Sequence, residues 1–312
     1  METKALSSIS ASLLRDIYAR MLLTRMVDNC AYSLYQQGRI GFVASCRGYE
    51  AAQVGSAICI EIGKDFTLPY YRDLGVVLTI GMTPYEVFRT YILAQGRPTD
   101  KGESKAFEKF DDAERQPMLH WGYHKRNMIT GPAPVATQIL HAAGIAFACR
   151  LRKVSAVTIA YCGDGATAEP DFLEGISFAA QHELPAVFIC EQDCSDGHAS
   201  TLQDSSLPGG LKHYRIDGTD VMAVYIAMQK AMRRARDGRG PVLLEMFVKR
   251  TLPGEFGVLL CEEEEVKSDP LLCCQQLLKE RGVWDEEWAA QLYARTKAEV
   301  EQAMQDALRD LL

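Results

Sequence analysis

The chain has 312 residues, 47% of them hydrophobic and 24% charged, which is enough for one large or two small globular units. Its net charge of −7 argues against a general nucleic-acid binder, which needs an excess of Lys and Arg. The longest apolar run, around Ile139 to Cys149, is interrupted by His141 and closed by Arg150-Leu151-Arg152, too short to span a bilayer.

The first residues, Met1-Glu2-Thr3-Lys4, carry no signal-peptide core, and a cytoplasmic protein without a membrane anchor is expected. Residues 12–37 place Leu14, Ile17, Met21, Leu22, Met26 and Tyr32 at helical spacing, with Gly38 as the stop. A second helix is expected over 48–60. Thr83-Pro84-Tyr85-Glu86 opens a third, with Thr as cap, Pro in the first turn and Glu three residues on. From Gly96 to Gln116 the chain is polar and aperiodic, a surface loop. A helix is expected over 135–151, a strand over 154–161, a helix over 170–182 and a buried strand over 184–190. A helix over 219–236 then leads to a strand over 242–248. Glu262–Glu265 reads as a solvated segment, and the tail after Asp285 as one long helix. Alternation of strand and helix implies an α/β fold, a parallel sheet flanked by helices. The ten cysteines form no CxxC pair, so reduced and mostly buried thiols are expected.

The stretch CGDGATAEP (162–170) sets a carboxylate inside a glycine-rich turn. Asp164 ends one expected strand and Asp193 lies just past the next. Both points fall at the carboxyl edge of the sheet, where open α/β folds bind ligands. Two carboxylates there suit Mg²⁺, which bridges them to phosphate oxygens, while the glycines let the backbone approach and a helix N-terminus adds its dipole. Gly163-Asp164-Gly165-Ala166-Thr167-Ala168 also fits G-x-G-x-x-A, a nicotinamide-dinucleotide turn, although Glu191 and Asp193 come later than that motif's acid. A third reading makes Asp164 a plain helix cap. The local residues leave all three open.

Longer stretches carry a family resemblance. QQGRIGFVASCRGYEAAQVGSA (36–57), PYYRDLGVVLTIGMTPYEVF (69–88), MLHWG (118–122), APVATQILHAAGIA (133–146), YCGDGATAEPDFLEGISFAA (161–180) and YRIDGTDVMAVY (214–225) occur in order. Together they resemble the alpha subunit of thiamine-diphosphate-dependent 2-oxo acid dehydrogenases, nearest the branched-chain type, with pyruvate and acetoin relatives. The resemblance implies a single thiamine-diphosphate-binding unit over 1–312, with N-terminal helices about 10–60, an α/β core about 65–250 and a helical tail about 268–312. It implies thiamine diphosphate and Mg²⁺ as cofactors, a beta-type subunit in an α2β2 heterotetramer, a lipoyl-bearing acyltransferase as next partner and a 2-oxo acid as substrate. By position, Asp164, Asp193 and the backbone carbonyl of Ser195 would hold the metal. Tyr71 and Arg72 would contact the diphosphate; Ala133, Val135, Gly163, Gly165 and Ala166 would line the cofactor. The carboxylate that activates the cofactor's aminopyrimidine ring belongs to the beta subunit in this family, so the chain alone is expected to be catalytically incomplete.

The departures are specific. The family's paired Asn-Asn is Gln192-Asp193 here, which adds a negative charge beside a diphosphate. Pro170 replaces a Gly, and the stretch from Asp193 to Asp217 is short. The loop after the last strand, Thr251 to Leu260, has neither the family's active-site His nor its Ser-rich phosphorylation segment. His120, His124 and His198 are the candidate replacements as proton relays. Three functions follow: a decarboxylating subunit whose acyl acceptor is lipoyl or another carbonyl, as in acyloin-type carboligation; a catalytically degenerate paralogue with a structural or regulatory role; or a nicotinamide-dependent dehydrogenase.

Overall fold

The computed structural model describes residues 9–94, 120–195, 202, 204–251 and 268–311. Helix α1 (Ala11–Gln36) starts where the Ser10 hydroxyl accepts the Leu13 N–H at 3.1 Å. Its middle, Thr24 to Ala31, is buried on every side, because α2 (Glu50–Ala57), α3 (Leu74–Ile80) and the C-terminal helices all pack on it. Helix α4 (Pro84–Leu93) carries the expected capping box between Thr83 and Glu86.

Five strands form one parallel sheet in the order β1-β2-β3-β5-β4: β1 (Phe66–Leu68), β2 (Thr158–Gly163), β3 (Ala186–Asp193), β4 (Lys212–Asp217) and β5 (Val242–Val248). Period-two alternation sorts their side chains between two cores. Ile159, Tyr161, Val187, Ile189, Leu244 and Met246 join the cluster that includes α1, α2 and α7 (Val221–Arg236). Ala160, Cys162, Phe188, Cys190 and Leu243 face α5 (Thr137–Leu151) and α6 (Pro170–Gln181). Helices on both faces explain why the central strands read as continuous apolar runs.

After residue 267 the chain returns to its beginning. Asp269 caps α8 (Pro270–Glu280) through the Leu271 N–H at 2.8 Å, and α9 (Glu286–Leu311) packs on α1 and α4. Trp284 meets Tyr18 edge-on at 5.2 Å between centroids, and Tyr85 donates to Asp310 at 2.9 Å. Buried Arg25 of α1 bonds both Glu50 of α2 and, at 2.9 Å, Asp269 Oδ2, pinning three segments together.

Several expectations shift. Helix α5 begins at Thr137, not 135, because Ala136 adopts φ 70°; Pro134 therefore precedes the helix. Strand β2 runs from Thr158 to Gly163, later than 154–161. Strand β1, helix α3, edge strand β4 and a 3₁₀ turn over His124–Arg126 were not expected. The cysteines among the described residues are free and most are buried. No helix among those residues is long and apolar enough to cross a membrane. The 96–116 loop, His198, the 252–260 loop and the Glu262–Glu265 run lie outside the described residues.

Candidate active site

The carboxyl ends of β2 and β3 open into a cavity of about 990 Å³. Register places its acids. Gly163 pairs with Glu191, so β2 ends two residues before β3 does; Asp193 in turn pairs with Val248 of β5. Asp164 then leads a 3₁₀ turn, Asp164–Ala168, fastened by Thr167 Oγ1 donating to the Asp164 carbonyl at 2.7 Å. The Asp164 side chain makes no hydrogen bond to any described residue, and it lines the cavity with Gly163, Gly165 and Ala166. It caps no helix: α6 starts at Pro170 with no side-chain cap. Nothing lies within 4 Å of where a Cβ on Gly165 would stand, so this stretch of backbone faces open space.

Asp193 is differently placed. Its Oδ1 accepts the Ser195 N–H at 3.0 Å and the Ser195 hydroxyl, and its Oδ2 lies 3.4 Å from Arg250 Nε. Burial pushes this carboxyl up, but the Ser195 hydrogen bonds and the Arg250 charge outweigh it and hold it below the usual range. Ser195 Oγ also accepts the Arg250 N–H at 2.8 Å. Ser195 and Arg250 line the cavity; Asp193 stands behind them. The strand exit that delivers Arg250 runs against Gly48, where a Cβ would lie 2.0 Å from the Lys249 carbonyl oxygen and where φ is +94°.

Tyr71 and Arg72 form the opposite wall, on the turn between β1 and α3. Arg72 does not pair with its neighbour Asp73. Its Nη1 donates to the Ser45 carbonyl at 2.7 Å, and its guanidinium lies 5.7 Å from the Tyr49 ring and 5.6 Å from the Tyr71 ring. Under this wall sits an acidic layer. Tyr70 donates its hydroxyl to Glu191 at 2.6 Å and its N–H to Asp73 at 2.7 Å, while Gln53 donates to Glu191 at 3.3 Å. Burial lifts the Glu191 carboxyl to about 7, and burial together with Glu191 lifts Asp73.

Ala133 and Val135 line the third side, and His120 joins them with Nδ1 2.8 Å from the Gly131 carbonyl. His124 sits on the exposed 3₁₀ turn, outside the lining. The structure also brings in residues not singled out from sequence. Phe42, Ser45 and Trp121 belonged to the matched stretches but carried no chemistry that marked them, and Arg250, between the last strand and the Thr251–Leu260 loop, was not singled out. Trp121 donates Nε1 to the Tyr71 carbonyl at 3.1 Å, tying two walls together.

A five-stranded parallel sheet with a cavity at its carboxyl edge defines an α/β ligand-binding subunit. The family described as dehydrogenase E1 component matches residues 18–311. The 2-oxoisovalerate dehydrogenase subunit alpha of Bacillus subtilis is 35% identical over 307 residues, covering 94% of this chain and 89% of that protein. The pyruvate dehydrogenase E1 component subunit alpha of the same organism is 29% identical over 319 residues, covering 97% and 80%. Its counterpart from Staphylococcus aureus is 31% identical over 308 residues, covering 94% and 77%. The chain belongs to this family, as a divergent alpha subunit of the thiamine-diphosphate-dependent 2-oxo acid dehydrogenases. The nicotinamide reading of the glycine turn is thereby set aside.

Thiamine diphosphate suits the residues present. A cationic, planar guanidinium and an uncommitted carboxylate line one cavity, with bare backbone at Gly165 beside the carboxylate. Among the described residues no group of three or more His, Cys, Asp or Glu side chains gathers in a metal-holding arrangement. A Mg²⁺ ion here would therefore rest on few side chains and complete its oxygen shell from backbone and diphosphate.

Proposed function

We propose that this chain supplies the diphosphate-binding and metal-binding half of a 2-oxo acid decarboxylase site. A beta-type subunit completes that site in an α2β2 heterotetramer. The observation that carries the reading is the Asp164 carboxylate, free of described partners, on the same cavity as Arg72. Arg72 and Tyr71 grip the diphosphate. Asp164 and the Ser195 carbonyl would hold Mg²⁺; Asp193, engaged by Ser195 and Arg250 behind the lining, would join them only by giving up those partners. Arg250 offsets the charge that Asp193 adds over the family's Asn. When bound, thiamine diphosphate supplies the electron sink that lets a 2-oxo acid lose carbon dioxide.

Buried Trp121 closes one flank of the cavity, while Ala133 and Val135 line it from an exposed segment that a partner subunit would cover. His120 is the proton carrier this chain contributes, since it lines the cavity and His124 does not. The acyl acceptor is the lipoyl group of an acyltransferase partner, with a second carbonyl, as in acyloin formation, as the competing acceptor. A cytoplasmic setting accords with the free, mostly buried thiols.

The test is calorimetric titration of thiamine diphosphate, with and without Mg²⁺, into the chain co-purified with its beta-type partner. Metal-dependent binding is expected. Absence of binding at roughly millimolar cofactor in an intact complex would instead identify a catalytically degenerate paralogue.

A further inference from the structure

Behind the Arg72 wall lies a carboxylate that the reaction does not use. Asp28 sits on α1 with no exposed surface. Its Oδ2 accepts the Ser45 hydroxyl at 2.6 Å and its Oδ1 accepts the Cys46 N–H at 3.0 Å. The Ser45 oxygen in turn accepts the Arg47 N–H at 3.2 Å. Asp28 thereby clamps the short 45–47 turn at successive points. The carbonyl of that same Ser45 receives Arg72 Nη1 at 2.7 Å.

We infer that Asp28 is a positioning residue for cofactor binding: it fixes the Ser45 turn, and the Ser45 carbonyl fixes the Arg72 guanidinium against the diphosphate. The inference rests on the cofactor reading above. An arginine has many rotamers in water, and holding it before the ligand arrives removes an ordering cost from binding. One Nη is taken by Ser45, and the Tyr49 and Tyr71 rings flank the charge, so the fork is aimed before binding. The clamp is a burden on the fold. Burial raises the Asp28 carboxyl to about 6, Glu50 of α2 adds to the rise and Arg25 of α1 opposes it. Tyr91 of α4 and Cys46 also face this charge.

The experiment titrates thiamine diphosphate with Mg²⁺ into the full chain bound to its beta-type partner. It compares wild type, Asp28→Asn, Asp28→Ala, Arg72→Gln and Asp28→Ala combined with Arg72→Gln, and records the ligand-free melting temperature of each. Asp28→Ala is expected to weaken binding about tenfold and Asp28→Asn about threefold. Asp28→Asn does not lower the melting temperature at pH 8, whereas Asp28→Ala also leaves the buried Cys46 N–H without its acceptor and melts lower. In the Arg72→Gln background the Asp28→Ala effect disappears, because the residue it acts through is gone. Should Asp28→Ala fail to fold, Asp28→Asn and Ser45→Ala carry the same comparison. Unchanged affinity, or an equal loss with and without Arg72, would overturn the inference while leaving the cofactor reading intact. A wild-type complex that binds no cofactor overturns both.

Discussion

Arg25 and Asp28 lie one turn apart on α1, both without exposed surface, and they are treated in opposite ways. Arg25 is met by two carboxylates, Glu50 and Asp269, and the three together join α1, α2 and the start of α8. Asp28 is met by a hydroxyl and a backbone N–H, which carry no charge to cancel its own. Asp73 and Glu191, farther along the same wall, resemble Asp28. They are buried, hydrogen-bonded by Tyr70, and raised in pKa. In this molecule matched charge joins segments, and unmatched charge lies beneath the site. A buried pair need only survive its own desolvation, whereas a lone buried carboxylate costs stability at neutral pH and persists where the geometry behind a binding residue needs it.

The sharpest way to break the contrast is Arg25→Met. It leaves Glu50 and Asp269 buried without their cation, and a loss of about 3–5 kcal/mol is expected in urea unfolding. Cofactor affinity of the folded fraction should not change, since Arg25 does not line the cavity. Asp164→Ala should do the reverse. Metal-dependent binding of thiamine diphosphate is expected to fall about a hundredfold by calorimetry, with the ligand-free melting temperature unchanged.

Titration sharpens the other half. Asp28 is protonated up to about pH 6 in the folded chain, against an ordinary value of 3.8. Its favourable share of stability is therefore complete below the ordinary value and is lost as pH rises through about 6. Asp28→Asn removes the charge that appears in that window. The variant should exceed wild type by about 2 kcal/mol at pH 8 and converge with it near pH 4, read from denaturant midpoints across pH. A constant offset at every pH would rule out the charge as the cause.

Asp193 and Arg250 form a partly exposed pair, so a smaller effect is expected. Arg250→Ala should weaken cofactor binding about threefold, and the same change beside Asp193→Asn should be near neutral. The smallest effect lies far from the cavity. Two residues past the end of α5, Lys153 takes φ 55°, a conformation that Gly238 and Gly282 take after α7 and α8. Lys153→Gly should raise stability by about 0.5–1 kcal/mol in thermal melts.

Much of the fold could be read from sequence, because β2, β3 and β5 are apolar runs and α4 announces itself with Thr83-Pro84-Tyr85-Glu86. Strand β4 could not. It is an edge strand with Lys212, Arg215 and Asp217 exposed or half-exposed, and a polar edge lacks the signal that a central strand carries. Strand β1 is three residues long, below any periodicity. In the site, Asp164 was legible as a carboxylate in a glycine turn where charge needs a reason; Arg72 came only through the family resemblance. Asp28 was passed over although it was legible: at helical spacing it falls on the stripe of Leu14, Ile17 and Met21, where a carboxylate needs a reason, and the packing around α1 buries it there. The Arg25 triad was hidden, since Asp269 lies 244 residues away in the chain. His124 shows the converse, a residue near the site in sequence that the 3₁₀ turn carries away from the cavity.

The strand order has a consequence for how the protein is made. Strand β5 is synthesised last of the five yet lies between β3 and β4. While the chain emerges from the ribosome, β3 keeps one edge unpaired and β4 has no neighbour until Val242–Val248 arrives. Asp193 stays without its counter-ion over the same interval, because Arg250 follows that strand directly. The sheet and the Arg250 side of the cavity thus close in a single late event, and a nascent chain halted before Val242 presents β3 with an open strand edge.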